Sequence, residues 1–272
     1  MNLLSVAPPI VLAPLFALFT VGAGPDVKAP AAMVAAPAGP PAVARMLERI
    51  DELHKHRDDE KAWAEEQALV KDALARAPQD YGVLWRAARS SFWLADDPGR
   101  SGDERSRFGK EGWDLAERAV TSDPNRVEGQ YWAAVCMGDY ALGLGVVKAL
   151  AKGMEGKFRA RLGRAEQLDR RYERGAIDTA WGRFFDKLPW PKRDRDEAER
   201  HYKRALEVNP LSLRARVYLA GTYLDEDRAA EAKRLLNEVA AAPAAGRYDP
   251  PEERRAKAIG AGLMPRVAAK LK

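Results

Sequence analysis

The chain has 272 residues, with 45 basic and 40 acidic side chains, a formal net charge of +5 and a single cysteine. That length holds one or two domains with a substantial core, and one cysteine excludes an intramolecular disulfide framework. Opposite charges are interleaved, as in "KRDRDEAERHYKR" from Lys192 to Arg204, which excludes the one-signed stripe of a nucleic-acid footprint.

No charged residue precedes Asp26, and Leu3 to Phe19 is largely apolar. Val21 and Ala23 stand at the −3 and −1 positions of a cleavage after Ala23, the small-residue pattern of an export signal. Residues 1–23 are therefore expected to direct export, most simply to a periplasm. The alternative is an uncleaved membrane anchor over residues 3–24, giving membrane association through this segment. No cysteine lies near residue 23, so lipid anchoring of the bacterial lipoprotein kind is not expected. Residues 24–43 are rich in Ala, Pro and Gly and carry no periodic apolar face, which predicts a linker. A folded domain is expected over residues 44–272.

Abundant Ala, Leu, Arg and Glu, with few β-branched runs, predict that this domain is all-α. Four copies of one pattern then appear. Taking Pro78, Pro124, Arg170 and Pro210 as anchors, Ala73, Ala119, Ala165 and Ala205 stand five residues earlier. Seven residues beyond the anchors are Trp85, Tyr131, Ile177 and Val217; ten beyond are Ala88, Ala134, Ala180 and Ala220; fourteen beyond are Phe92, Gly138, Phe184 and Leu224. These offsets trace one helical stripe, so each unit is a helix, a short turn and a second helix packed back on it. The prediction is a TPR-like helix-hairpin solenoid with long inter-helix insertions. Pro210 to Pro243 brackets one repeat close to the ~34-residue tetratricopeptide length, with Leu219, Tyr223, Ala232 and Leu236 at the expected places. Earlier anchors lie farther apart, and the extra residues fall after Leu94, Asp139 and Phe185. Equivalent turns of such an array share one edge, so all three insertions are expected there. "PPEERRAKAIGAGLM" predicts a closing helix over the last repeat.

Several features run along Trp113 to Met264: "AERAVTSDPNRVEGQYWAA", "GLGVVKAL", "LDRRYERGAIDTAWGRFFDKLPW", "AERHYKRALEVNPLSLRARVYLAGTYL" and "PPEERRAKA". Together they resemble the helical T-component associated with tripartite ATP-independent periplasmic (TRAP) transporters. The tryptophan-bearing "VLWRAARSS" around Trp85 is more faintly similar to the regulator of microtubule dynamics family. The T-component resemblance implies a periplasmic, non-enzymatic protein with apolar clefts or a pore, sometimes trimeric. The oligomeric state is left open.

No enzymatic chemistry is expected, nor any cofactor. His54 and His56, two apart on a helix near Asp51 and Glu52, point to different sides and do not share a metal ion; a solvated helix end accounts for them. His201 reads as a surface histidine, and Cys136 as packing filler. "GLGVVK" from Gly143 to Lys148 lacks phosphate-loop spacing and follows no strand. Trp85, Trp113 and Trp181 fall on repeat faces and read as core, whereas Trp132 looks onto the inner surface. Trp190, between two prolines, is the tryptophan least explained by packing. In the middle insertion Val147, Leu150 and Met154 would form one helical stripe, with Val146 beside it, rimmed by Lys148, Lys152 and Lys157. That stripe either fills the groove between repeats or leaves an apolar patch for a partner, a lipid surface or an amphiphile. The binding region is accordingly expected at Trp132, Leu144, Val147, Lys148, Leu150 and Trp190. The function read from this is an exported scaffold for protein–protein interaction. The alternative is a transport accessory holding a small apolar or amphiphilic ligand.

Overall fold

The computed structural model describes residues 40–243 and 248–272. The segment expected to direct export and most of the expected Ala/Pro-rich linker lie outside the described residues. Among those described are twelve α-helices and one 3-10 turn, with no strand. They are α1 (Pro40–His54), α2 (Glu60–Arg76), α3 (Tyr81–Ala95), α4 (Gly102–Ser122), α5 (Val127–Leu144), α6 (Val146–Ala151), α7 (Met154–Leu168), α8 (Ala176–Lys187), α9 (Arg195–Val208), α10 (Leu213–Asp225), α11 (Ala229–Ala241) and α12 (Pro250–Lys270); the 3-10 turn is Tyr172–Arg174. The first helix begins at Pro40, ahead of the expected domain start at Ala44, because proline is tolerated in a first helical turn, where the N–H groups have no intrahelical partner.

Helix starts follow from their caps. Asp59, Asp80, Ser101, Asp194, Ser212 and Asp249 each accept a backbone N–H three residues on, and Ser101 forms a reciprocal capping box with Glu104. The ends of α2, α4, α7 and α9 share one geometry. In each, the C-cap N–H donates to the carbonyl of the alanine in the pattern: Ala73, Ala119, Ala165 or Ala205. The copy ending at Arg170 stops in the same way as the three ending at proline. The cap, not the proline ring, is what the four copies have in common.

The helices pair as α1–α2, α3–α4, α5–α7, α8–α9 and α10–α11, with α12 closing the array against α10 and α11. The four pattern alanines are fully or almost fully buried, as are Leu219, Tyr223, Ala232 and Leu236 in the last hairpin. A small side chain there lets the neighbouring helix axis approach, and the apolar residues around it fill the gap. Packing is tightest between α4 and α5. A Cβ added at Gly109 would lie 2.4 Å from the Tyr140 nitrogen, and one at Gly112 would lie 2.7 Å from the Cys136 sulfur. Cys136 is thus a buried spacer at a helix crossing.

The insertions adjoin one another in sequence order. A Cβ on Gly143, at the end of α5, would lie 2.5 Å from the Gly102 carbonyl at the start of α4. Lys192, in the α8–α9 connection, donates to Glu155 in the first turn of α7 at 2.5 Å.

Two histidines differ from expectation. His201 is buried, its Nδ1 2.9 Å from the Asp178 carboxylate and its ring stacked on Phe185 and Trp181. His54 is half-buried, with Nδ1 2.9 Å from Glu66, a fully buried carboxylate that also accepts from Ser90. Both acids come from other helices, so only tertiary packing makes these rings interior. His56 is exposed.

Two glycines separate close packing from mere propensity. Gly109→Ala should cost about 1–3 kcal/mol, because backbone rather than a flexible side chain blocks the methyl group. Gly163→Ala, in α7 with no atom near its Cβ position, should instead gain about 0.5–1 kcal/mol. Chemical denaturation of both variants checks this, and a stabilised Gly109 variant contradicts the α4–α5 packing.

Candidate functional site

The first helix of each hairpin supplies the inner face of the array. Phe92 on α3, Gly138 on α5 and Phe184 on α8 occupy the same position of the repeat, fourteen beyond the anchor. All three line a cavity of about 540 Å³, while the fourth copy, Leu224, is buried in the core. One position of the predicted stripe therefore borders open space in three copies and is buried in the fourth. Phe158 on α7 stacks on Phe184 with ring centroids 4.7 Å apart, and Trp132 packs against Phe92 at 5.5 Å. These rings make an apolar wall, extended by Val146, Ala149 and Leu150 of α6.

The rest of the lining is rich in charged side chains. Asp96, the buried C-cap of α3, accepts from Arg214 Nη1 at 2.5 Å, and the guanidinium groups of Arg183 and Arg255 lie 3.9 and 3.8 Å away. Burial pushes the Asp96 carboxyl up, but the three guanidinium groups outweigh it and hold the carboxyl below its usual range. Arg214 also pairs with Glu252 at the start of α12. Trp93 is clamped between Arg57 and Arg255, whose guanidinium groups lie 4.4 and 3.1 Å from its ring centroid. Arg57 further binds Asp249 at 2.7 Å, and Arg254 pairs with Asp58. Long side chains thus join α10 and α12 to α3 and the α1–α2 turn.

Two groups of this lining are left without hydrogen bonds among the described residues. Asp139 on α5 is only 3% exposed in total yet lines the cavity, and no donor meets its carboxylate. Burial and the nearby Asp96 charge push it up to about 7, against the pull of Arg183, Arg105 and Arg214. Arg183 lies over the Tyr218 ring at 4.4 Å and has Asp96 only at ion-pair distance. The cavity therefore presents the Asp139 carboxylate and the Arg183 guanidinium beside an aromatic wall whose Trp132 indole N–H is also without a hydrogen-bond partner.

The residues expected to bind divide into three groups. Trp132 and Leu150 line the cavity. Leu144 is half-buried at the end of α5 and lies outside the lining. Val147 (70% exposed), Lys148 and Trp190 (87% exposed) face outward. The expected stripe of Val147, Leu150 and Met154 does not form. Gly153 adopts φ +69°, ends α6 and resets the register, so Met154 opens α7 as a buried residue. The inward face of α6 is Val146, Ala149 and Leu150. Trp85 and Trp181 are buried and Trp113 is half-buried, as core tryptophans should be.

Asp96, Asp139, Arg183 and Arg214 were not singled out from sequence. Asp139 carried a signal: past Glu128 it is the only charged residue in α5, and a lone acid in an apolar helix needs a reason. Asp96 and Arg214 are 118 residues apart, and no local pattern links them.

Hairpins in register around an inner cavity define a TPR-like helical-repeat protein. A tetratricopeptide-repeat family model matches residues 192–249, and a model described as regulator of microtubule dynamics protein 1-3 matches residues 46–174. Regulator of microtubule dynamics protein 1 of Mus musculus is 25% identical over 203 residues, covering 67% of this chain and 62% of that protein. Its Bos taurus counterpart is 29% identical over 97 residues, covering 36% of this chain and 29% of that protein. The chain thus spans less than two thirds of either relative's length. A solved thermophilic TPR protein of Thermus thermophilus superposes with a TM-score of 0.57 at 20% identity, covering 84% of this chain and 98% of that one.

The unpartnered carboxylate gives a pH signature. Asp139 keeps its proton to about 7 in the folded chain but releases it near 3.8 when unfolded. Its stabilising contribution is therefore complete below pH 3.8 and is lost as pH rises to 7. Asp139→Asn stays neutral throughout. Its stability relative to the parent should rise between pH 5 and 7 by about 1.4 kcal/mol per unit and level off above. Urea denaturation at pH 5, 7 and 8 measures this, and a difference that does not change with pH rules the effect out.

Proposed function

We propose that this TPR-like scaffold binds a short extended segment of a partner protein inside the cavity formed by its inner helices. The observation that carries the reading is the pairing of open groups in the charged part of the lining. A peptide backbone offers N–H donors and C=O acceptors side by side, which Asp139 and Arg183 complement. The aromatic wall of Phe92, Trp132, Phe158 and Phe184 suits an apolar side chain of that segment. At about 540 Å³ the space is too small for a folded domain. The names of the matched relatives point to a cytoskeletal partner as one such protein.

A second reading rests on the same enclosure. A cavity within the ~300–1,000 Å³ range of small-molecule sites, apolar in one part and charged in another, also fits a small amphiphile. That is the ligand class implied by the T-component resemblance. Native mass spectrometry of the purified full chain separates the two: a retained small molecule supports the amphiphile, and binding of added peptide to an empty chain supports the scaffold.

Ala180, half-buried on α8, lines the cavity. Ala180→Trp should fill the space, leave the helical circular dichroism spectrum intact and weaken occupancy by about tenfold or more, equivalent to about 1.4 kcal/mol. Unchanged binding in a folded variant places the ligand elsewhere.

The apolar run Leu3–Phe19 and the small residues at Val21 and Ala23 further support export, with a mature terminus near Gly24. Cell fractionation with N-terminal sequencing tests it. A cytoplasmic chain that retains Met1 overturns it.

A further inference from the structure

The insertion edge has an outer surface that the cavity does not use. On α6 the inward residues line the cavity, while Val147 projects into solvent at 70% exposure, and Lys148 and Lys152 after it are exposed. The adjoining α8–α9 connection raises Trp190 to 87% exposure, the highest among the exposed large apolar residues described, between Pro189 and Pro191. Lys187, Lys192 and Arg193 flank it in the chain. The Lys192–Glu155 hydrogen bond holds this connection against the start of α7, so the two protrusions share one edge.

The edge carries Lys148, Lys152, Lys187, Lys192 and Arg193, of which Lys187 pairs with Asp186 at 2.7 Å and Lys192 with Glu155 at 2.5 Å. Residues 140–154 contain Lys148 and Lys152 and no acid; residues 187–193 contain Lys187, Lys192 and Arg193 and no acid. Lys148 and Lys152 have no ion-pair partner among the described residues, and the Arg193 guanidinium donates only to the Leu188 carbonyl. Elsewhere the surface is laced with mixed pairs such as Lys110–Asp114 and Arg200–Glu197. Lys148, Lys152 and Arg193 depart from that pattern, while Lys187 and Lys192 follow it.

From this juxtaposition of Val147 and Trp190 with Lys148, Lys152 and Arg193, which have no acidic partner among the described residues, we infer that the insertion edge docks on an anionic membrane surface. Protein hot spots sit in packed patches sealed by a surrounding ring of contacts. Here two apolar side chains protrude separately from short connections, with long cationic side chains near them in the chain. A fluid interface accommodates such points without a complementary shape: tryptophan settles at headgroup depth and lysines pair with lipid charge. No helix among the described residues is long and apolar enough to cross a membrane, so the contact is peripheral. The inference is independent of what fills the cavity.

The test uses the full chain with vesicles of phosphatidylcholine alone and of phosphatidylcholine with phosphatidylserine. Residues 3–19 are uncharged, so insertion through them would not distinguish the two. The difference in binding between the compositions therefore isolates the edge. That difference should be abolished by high salt and should fall about fivefold for each of Lys148→Gln and Lys152→Gln. Trp190→Ala should lower it as well, with no change in Tm because the side chain is exposed. Brominated acyl chains should quench part of the tryptophan emission, and Trp190→Phe should lose that quenching while still binding. Equal binding to both vesicle types overturns the inference, as does wild-type binding by all three binding variants. A protein ligand that requires Trp190, with no vesicle preference, assigns the edge to a protein and overturns it too.

Discussion

The Asp96 carboxylate is the point at which the two ends of the array are held together. A negative charge at the C-terminal end of α3 stands where the helix dipole is also negative, and it is buried. Both effects disfavour it unless cations gather around it. Arg183 from α8, Arg214 from α10 and Arg255 from α12 do so, each from a different helix of the later hairpins. A stack of hairpins joined only to its neighbours would leave its inner face as an open groove. The arginines that neutralise Asp96 tie the late hairpins to α3, and this cluster borders the cavity. A buried ion cluster of this kind adds little net stability compared with an apolar substitute. What it contributes is a definite geometry: Trp93 between two guanidinium groups, and Glu252 of α12 held against Arg214.

The same cluster explains why Asp139 and Arg183 remain open. Asp96 has taken the nearest guanidinium groups, with Arg214 in direct contact and Arg183 held only at ion-pair distance. Asp139 faces the same cluster from α5 but obtains no hydrogen bond from it. Its raised pKa follows first from burial and then from the Asp96 charge beside it, both of which favour the neutral form.

The hairpin array was legible because its signal is local. The alanines before each anchor and the apolar residues beyond it recur at fixed offsets, and all of them act within one helix or between adjacent helices. Even the Arg170 copy could be aligned, since the cap that ends α7 depends on Ala165 and not on a proline. Features made by distant residues were not legible. His54 and His201 read as surface groups because Glu66 and Asp178, which make their burial tolerable, lie on other helices. The Asp96–Arg214 contact has no sequence signature at all. Family resemblance followed the same division. The T-component likeness rested largely on repeat grammar, which any such array displays. The fainter likeness around Trp85 lies within the stretch that the microtubule-dynamics family model matches.

The middle insertion shows how one break in helical register changes what a stretch can do. Had α6 run unbroken into α7, Val147, Leu150 and Met154 would have shared a face and been used up in packing. Gly153, in a left-handed conformation with open space at its Cβ position, ends α6 after six residues. Too short to be stable alone, the segment is held by its inward face, where Ala149 is buried and Val146 and Leu150 border the cavity. The opposite face then has nothing to pack against, and Val147 stands in solvent. Residues added between two repeat helices have thus supplied both part of the cavity wall and part of the outer edge.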